Sequence, residues 1–279
     1  MTALLEQSMG WSEVLTLPLV LFTVFSQIAI GLALISATRQ WAVSDAPDLR
    51  VRVEWVTIGG LLALAIGASL LHLGDPWGAV RALNNLQSAW LSREILGVIL
   101  FGLLIAAIFF TELRRSAPGW LLKLCALIGL ATLFATGMTY SIPPNLPAIN
   151  NGLPLLLFAL TALILGTAFG SYFAQPRQQP RLFGALVTAL LIALAVNLVA
   201  PSIWSSGGAV MQQTAQNYLT SPIYWGYIGV GLVIPLLVLW RLRRIPAWLP
   251  ILLLIGEVTG RIAFFVLMAT SAENLGQLY

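Results

Sequence analysis

His72, Glu94, Glu257 and Arg261 are ionisable side chains set inside or at the edge of long apolar runs. Their types suggest two kinds of chemistry. His72, the only histidine of the chain, has a side chain that titrates near neutral pH, and a carboxylate such as Glu94 beside it suits proton acceptance from a donor that loses electrons and protons together. Glu257 and Arg261, spaced i and i+4, can pair along one helix face. That pair reads either as an ion pair that makes a buried arginine tolerable and ties helices together, or as a proton relay.

The elements that must position these groups follow from composition. Hydrophobic residues make up 59% of the 279, charged residues 9%, and mean hydropathy is +0.91. These values lie outside the range of soluble domains and describe an integral membrane protein. Because roughly 20 apolar residues cross the hydrocarbon core as a helix, eight runs qualify: Leu15–Ala37, Val53–Leu71, Leu91–Phe110, Leu121–Tyr140, Leu153–Phe173, Leu182–Val199, Ile223–Trp240 and Trp248–Thr270. Backbone polar groups in lipid must bond internally, so helices are expected rather than open strands. The expected fold is all-α, a polytopic bundle forming one membrane anchor domain over residues 1–279. On this reading His72 closes the second helix and Glu94 opens the third, at one membrane surface. Glu257 and Arg261 lie roughly 14 and 20 Å in from Trp248 at 1.5 Å per residue.

Orientation is read from the basic residues. Eleven of the 14, namely Arg39, Arg50, Arg52, Arg114, Arg115, Lys123, Arg177, Arg181, Arg241, Arg243 and Arg244, fall in or beside the odd-numbered gaps, and only Arg81 and Arg93 border the other side. The positive-inside rule then puts both termini outside the cytoplasm, periplasmic if the membrane is a bacterial inner membrane. Residues 1–11 lack Lys and Arg, so a cleaved signal peptide is not expected. The net charge of +4 is topogenic, and no basic groove for nucleic acid is evident. A single cysteine, Cys125, excludes an internal disulfide and a four-thiolate iron-sulfur cluster, and a lone histidine excludes paired-histidine haem ligation within the chain. Any redox centre must come from a partner.

Between His72 and Glu94, Arg81, Asn84, Asn85 and Ser88 recur at helical spacing, with Ala79, Leu83, Leu86 and Trp90 on the opposite side. This predicts a short amphipathic helix in the interface that roofs the site, its ends held by Trp77 and Trp90. The plainer alternative is capping: Gly74 and Pro76 stop a helix at His72, and Ser92 is a candidate N-cap with Glu94 in the first turn. Gly59, Gly60, Gly67, Gly97 and Gly102 are expected to admit close helix approach, and Trp55, Trp120, Trp225, Trp240 and Trp248 to sit in interfacial belts. Tyr140 and the loop SIPPNLPAINNG that follows it are either a docking surface for a soluble partner or an ordinary connector.

Three readings follow. In the first, His72 and Glu94 take protons from a quinol while its electrons pass to an iron-sulfur protein docked on that face. In the second, His72, Glu257 and Arg261 line the pathway of a secondary transporter, although no internal repeat is evident. In the third, the protein is a structural scaffold.

Five motifs add a resemblance. His72-Leu73-Gly74-Asp75-Pro76, Ala82-Leu83-Asn84 and Leu91-Ser92-Arg93-Glu94-Ile95 are similar to H-L-G-x-P, A-L-N and L-S-x-E-I of the DMSO reductase anchor subunit family, DmsC. The opening Pro18-Leu19 through Phe22-Thr23 to Gln27 resembles its P-L-x-x-F-T-x-x-x-Q, and Gly256-Glu257-Val258-Thr259-Gly260-Arg261 its G-E-x-x-G-R. The sequence departs at Met138-Thr139-Tyr140 and Pro147-Ala148-Ile149-Asn150, where relatives often read R-V-Y and P-A-W-N. The resemblance implies an anchor for a molybdopterin catalytic subunit and an iron-sulfur subunit, oxidising a quinol, menaquinol ahead of ubiquinol, in anaerobic respiration. It implies catalytic roles for His72 and Glu94. Arg81, Asn84, Asn85 and Tyr140 are the further candidates to shape the quinol pocket.

Overall fold

The computed structural model describes residues 2–42, 49–72, 81–114 and 116–271. Nine helices are named here: α1 Thr2–Ala42, α2 Leu49–His72, α3 Trp90–Glu112, α4 Gly119–Ser141, α5 Leu153–Gly170, α6 Gln179–Ser205, α7 Ala209–Thr220, α8 Pro222–Leu242 and α9 Leu249–Val266. Among the described residues there is no strand, and all of these helices except α7 are long and apolar enough to cross a membrane. The eight spans correspond one for one to the eight apolar runs.

Successive spans run antiparallel, which gathers the described arginines of the odd gaps at one end of the bundle. We call this the arginine-rich end. Contacts at each end close the short connections. At the arginine-rich end Arg39 pairs with Glu54, the Ala117 amide donates to Glu112 Oε1 at 2.7 Å, and the Tyr172 hydroxyl donates to the Ala247 carbonyl. At the arginine-poor end the Ser271 amide donates to the Asn145 carbonyl at 2.9 Å and Trp204 Nε1 to the Ala148 carbonyl at 2.9 Å.

The span of α1 is the most enclosed, packing on α2, α4, α5 and α9. Lipid tails give no hydrophobic drive for one apolar helix to seek another, so small residues that let backbones touch decide which faces meet. Gly31 of α1 lies against the backbone of Ala162 and Gly166 of α5, and Gly231 of α8 against Gly256 of α9, with no room for a Cβ at either crossing. Of the glycines singled out by sequence, Gly97 makes such an approach: a Cβ there would come within 2.6 Å of Thr132 Oγ1 on α4. Gly60 and Gly67 face open space. The outward faces carry exposed Leu64, Leu103, Phe110, Leu127 and Leu237, as a lipid-facing surface requires.

Three expectations change. Among the described residues of the roof between α2 and α3, Arg81 to Asn85 are helical, tightening to a 3₁₀ turn over Leu83–Asn85, and Leu86–Ser88 form a turn where a continuing helix was expected. Its sidedness survives, since Arg81, Asn84, Asn85 and Ser88 are exposed while Leu83 and Leu86 are partly covered. Residues 73–80, including Trp77 and Ala79, lie outside the described residues. Trp55 is 1% exposed and belongs to the core, not to an interfacial belt. The gap after α6 holds the amphipathic helix α7, whose few apolar residues were too short a run to register.

Glu54 is wholly buried, and it accepts from Arg39 Nη2 and, at 3.0 Å, from Ser36 Oγ. Arg39→Ala should therefore strand a carboxylate and destabilise the bundle by about 3 kcal/mol, whereas replacing both partners, Arg39→Met with Glu54→Leu, should recover most of the loss. Thermal unfolding midpoints in one fixed detergent check this. Equal midpoints for the parent and Arg39→Ala would show that the pair contributes nothing.

Candidate functional site

Glu94 stands one turn into α3 and is 2% exposed. It shares the inward stripe of that helix with Phe101, Ile105, Ile108 and Glu112. Two hydroxyls of α4 meet it: Thr136 Oγ1 donates to Oε1 at 3.1 Å and Thr139 Oγ1 to Oε2 at 2.9 Å. Each hydroxyl also reaches the carbonyl four residues back, Thr132 at 3.1 Å and Ala135 at 2.9 Å, so one proton serves two acceptors. The close α3–α4 approach at Gly97 is what brings the carboxyl group within reach of α4. Sequence reading missed both threonines. Their signal was there, since Thr132, Thr136 and Thr139 stand at i, i+4 and i+7 along one face of an otherwise apolar helix.

Ser92 does not cap α3. The N-cap is Ala89 in extended conformation, and Ser92 Oγ instead donates to the Ala82 carbonyl at 2.6 Å. Arg93 folds back beside it, Nε donating to the Leu86 carbonyl at 2.9 Å and Nη2 to that of Gln87 at 2.7 Å, with its guanidinium 4.2 Å from the Trp90 ring centroid. These bonds fasten the described part of the roof to the first turn of α3, directly over Glu94.

His72 is the last residue of α2, and its side chain lies outside the described residues. Its level in the bundle follows from backbone register. Gly59 faces Ile105 and Gly102 faces Leu62 across the α2–α3 contact, so continuing that antiparallel register brings position 72 level with Ser92, about 3 Å along the axis from Glu94.

Tyr140, at the same end of α4, packs edge-on against Phe158 at 5.4 Å and Phe265 at 5.5 Å between ring centroids. It lies within electrostatic reach of both Glu94 and Arg261. The loop after it is partly tucked in, with Ala148 and Ile149 buried.

Glu257 and Arg261 form a separate buried group. They make no direct ion pair. Thr161 Oγ1 stands between them, accepting from Arg261 Nη2 at 3.0 Å and donating to Glu257 Oε2 at 2.6 Å. Arg261 Nη2 also donates to Gln27 Oε1 at 2.7 Å, and its guanidinium lies 3.8 Å from the Phe158 ring centroid. The glutamine of the opening motif and the arginine of the closing one are therefore bonded partners that join α1, α5 and α9.

Comparison with known proteins bears on this geometry. The family described as DMSO reductase anchor subunit (DmsC) matches residues 8–267, which takes in both the Glu94 clamp and the Gln27–Arg261 contact. The protein belongs to the DMSO reductase anchor subunit family. It is 32% identical over 162 residues to YnfH, an anaerobic dimethyl sulfoxide reductase subunit of Escherichia coli (strain K12), over 56% of the length of each. It is 31% identical over 156 residues to the C subunit of the anaerobic dimethyl sulfoxide reductase of Haemophilus influenzae, 54% of this protein and 55% of that one. The match thus spans about half the length of these curated relatives. Thr139 and Ile149, two positions at which the sequence motifs read as unusual, are structurally engaged, Thr139 in the clamp and Ile149 in the core.

The clamp generates a test. Thr136→Val or Thr139→Val removes one donor from Glu94 and should lower stability by about 1 kcal/mol, while the double variant leaves the carboxyl group without its α4 donors and should lose more than the sum. Detergent unfolding midpoints of the three variants measure this, and strictly additive losses would argue that the two threonines do not act on a shared group.

Proposed function

We propose that the anchor binds a quinol at the arginine-poor end, takes its protons on His72 and Glu94, and passes its electrons to an iron-sulfur subunit docked over the same end. The observation that carries this reading is the Glu94 carboxyl group: buried, held at both oxygens by threonine hydroxyls, and level with the end of α2 that bears the only histidine. A carboxyl group in such a place is expensive and defaults to function.

Oxidation of a quinol releases two electrons and two protons. His72 takes the first proton from a quinol hydroxyl, because an imidazole titrates near the working pH. Glu94 accepts the proton of the second hydroxyl and passes it on through the roof to the aqueous side. Two donors on one carboxyl group leave lone pairs for a third partner, so Glu94 can accept from a quinol hydroxyl without giving up either threonine. The sequence has one cysteine, buried in α4, so both electrons go to clusters held by the partner. Exposed Arg81, Asn84 and Asn85 on the roof are the groups that face that partner or shape the pocket, with Tyr140 flanking from α4.

Family membership supports the wider assignment. The protein anchors a molybdopterin catalytic subunit through the iron-sulfur subunit on the non-cytoplasmic face of a bacterial inner membrane, with both termini periplasmic and menaquinol the donor ahead of ubiquinol. The concentration of arginines at the opposite end supports that orientation.

In the assembled complex, His72→Ala should cut quinol-dependent reduction of the terminal acceptor by about 100-fold or more, the usual contribution of a positioned proton acceptor. Reduction driven by an artificial donor that feeds the soluble subunits should be unchanged. Glu94→Gln, which keeps shape and removes the acid, should show the same split. Wild-type quinol turnover in His72→Ala would overturn the role.

A further inference from the structure

Gln27 Nε2 is buried without a protein hydrogen-bond partner, and so are two further atoms of the inner cluster, Oε1 of Glu257 and Nη1 of Arg261, the residues that follow Gly256 and Gly260. Both residues are 4% exposed. Both line a cavity of about 30 Å³ enclosed by α5, α6, α8 and α9, whose other polar walls are Thr161, Asn197 and Tyr227. One atom is an acceptor and the other a donor, and a water molecule is the smallest ligand that satisfies both. A cavity needs about 10–15 Å³ of this kind of volume per water, so the space suits two.

The cavity does not end there. A second one of about 20 Å³ shares Leu157, Asn197, Tyr227 and Gly260 with the first and continues past Tyr224 to Tyr218 and Trp204 beneath α7, at the arginine-poor end. The Tyr224 hydroxyl donates to the Asn197 backbone carbonyl at 2.8 Å, so polar groups of Asn197, Tyr218, Tyr224 and Tyr227 punctuate a largely apolar lining. The backbone is arranged around it. Helix α8 opens into a π turn at Tyr227–Val233, a feature that recurs at functional sites, and Gly256 and Gly260 of α9 admit the α8 backbone and the Tyr227 ring. Either glycine with a side chain would press into α8. The residues that follow them, Glu257 and Arg261, turn instead to Thr161 and the cavity.

We propose that Glu257 is a proton-exchanging site in the middle of the membrane, bridged to Arg261 by internal water and served from the arginine-poor surface along Asn197, Tyr227 and Tyr224. The proton comes from the aqueous phase on that side and returns to it. Thr161 makes both states of the carboxyl group tolerable. Against the carboxylate its hydroxyl donates to Oε2 while accepting from Arg261; against the neutral acid the added proton on Oε1 is given to the cavity water. The titratable groups facing Glu257 are Arg261 from its own helix and Tyr227 from α8, while α5 and α6 present Thr161 and Asn197, which do not titrate. This site is separate from the proposed quinol pocket and does not depend on it.

The test is infrared spectroscopy of the full-length protein in lipid nanodiscs while the bathing buffer is stepped in pH and exchanged from H₂O to D₂O. The expected result is a carboxylic acid carbonyl band that titrates, shifts in D₂O and is lost in Glu257→Gln. Ala193→Leu fills the cavity from α6 without touching an ionisable group, and should retain the band but slow its D₂O shift at least ten-fold. A band unchanged by Glu257→Gln overturns the proposal, as does exchange at the parent rate in Ala193→Leu. Should Glu257→Gln fail to fold, the exchange rate of Ala193→Leu decides alone.

Discussion

A carboxyl group inside an apolar bundle must find its hydrogen-bond donors among the helices, because lipid offers none, and this constraint organises the interior of the anchor. Glu94 is met by Thr136 and Thr139, Glu257 by Thr161, Glu54 by Ser36 and Arg39, and Glu112 by the Ala117 amide. Hydroxyls supply most of these bonds. A threonine in a helix is cheap to place, since its hydroxyl rests on a carbonyl of the preceding turn until a neighbour's acceptor draws on it. Each clamp then requires two helices at short range, and glycines such as Gly97 on α3 set that range.

The two ionisable groups differ in what they can do because they differ in place. Glu94 sits one turn into α3, under the part of the roof pinned by Ser92 and Arg93, at the arginine-poor end. Glu257 and Arg261 sit deep, where they join α1, α5 and α9 through Gln27 and Thr161. Breaking that junction unties three helices at once, whereas the roof is held to α3 alone by the Ser92 and Arg93 bonds. The distinction explains why one protein has ionisable side chains at two depths without their being one pathway.

What could be read from the sequence was whatever depends on position along the backbone. Apolar run length gave eight spans, charge placement gave the two unlike ends, and the ionisable residues within runs include Glu94, Glu257 and Arg261, which the fold buries. What could not be read depends on which way a helix is turned and on which neighbour it meets. Trp55 occupies a run end and so looked interfacial, yet its face of α2 turns inward. Glu257 and Arg261 have the spacing of an ion pair, yet a threonine 96 residues away from Glu257 in sequence stands between them. Ser92 has the type and place of a cap, yet a carbonyl ten residues earlier claims its hydroxyl. In each case the local rule lost to a partner that only tertiary packing supplies.

The central claim is that the reductant meets the anchor between the end of α2 and the Glu94 clamp. An experimental structure of the assembled complex with a bound, non-oxidisable quinol analogue tests it most directly. The account predicts a head group within hydrogen-bond distance of Glu94 and His72, with the iron-sulfur partner seated on the arginine-poor end above it. A head group bound elsewhere, or a partner seated on the arginine-rich end, would contradict it.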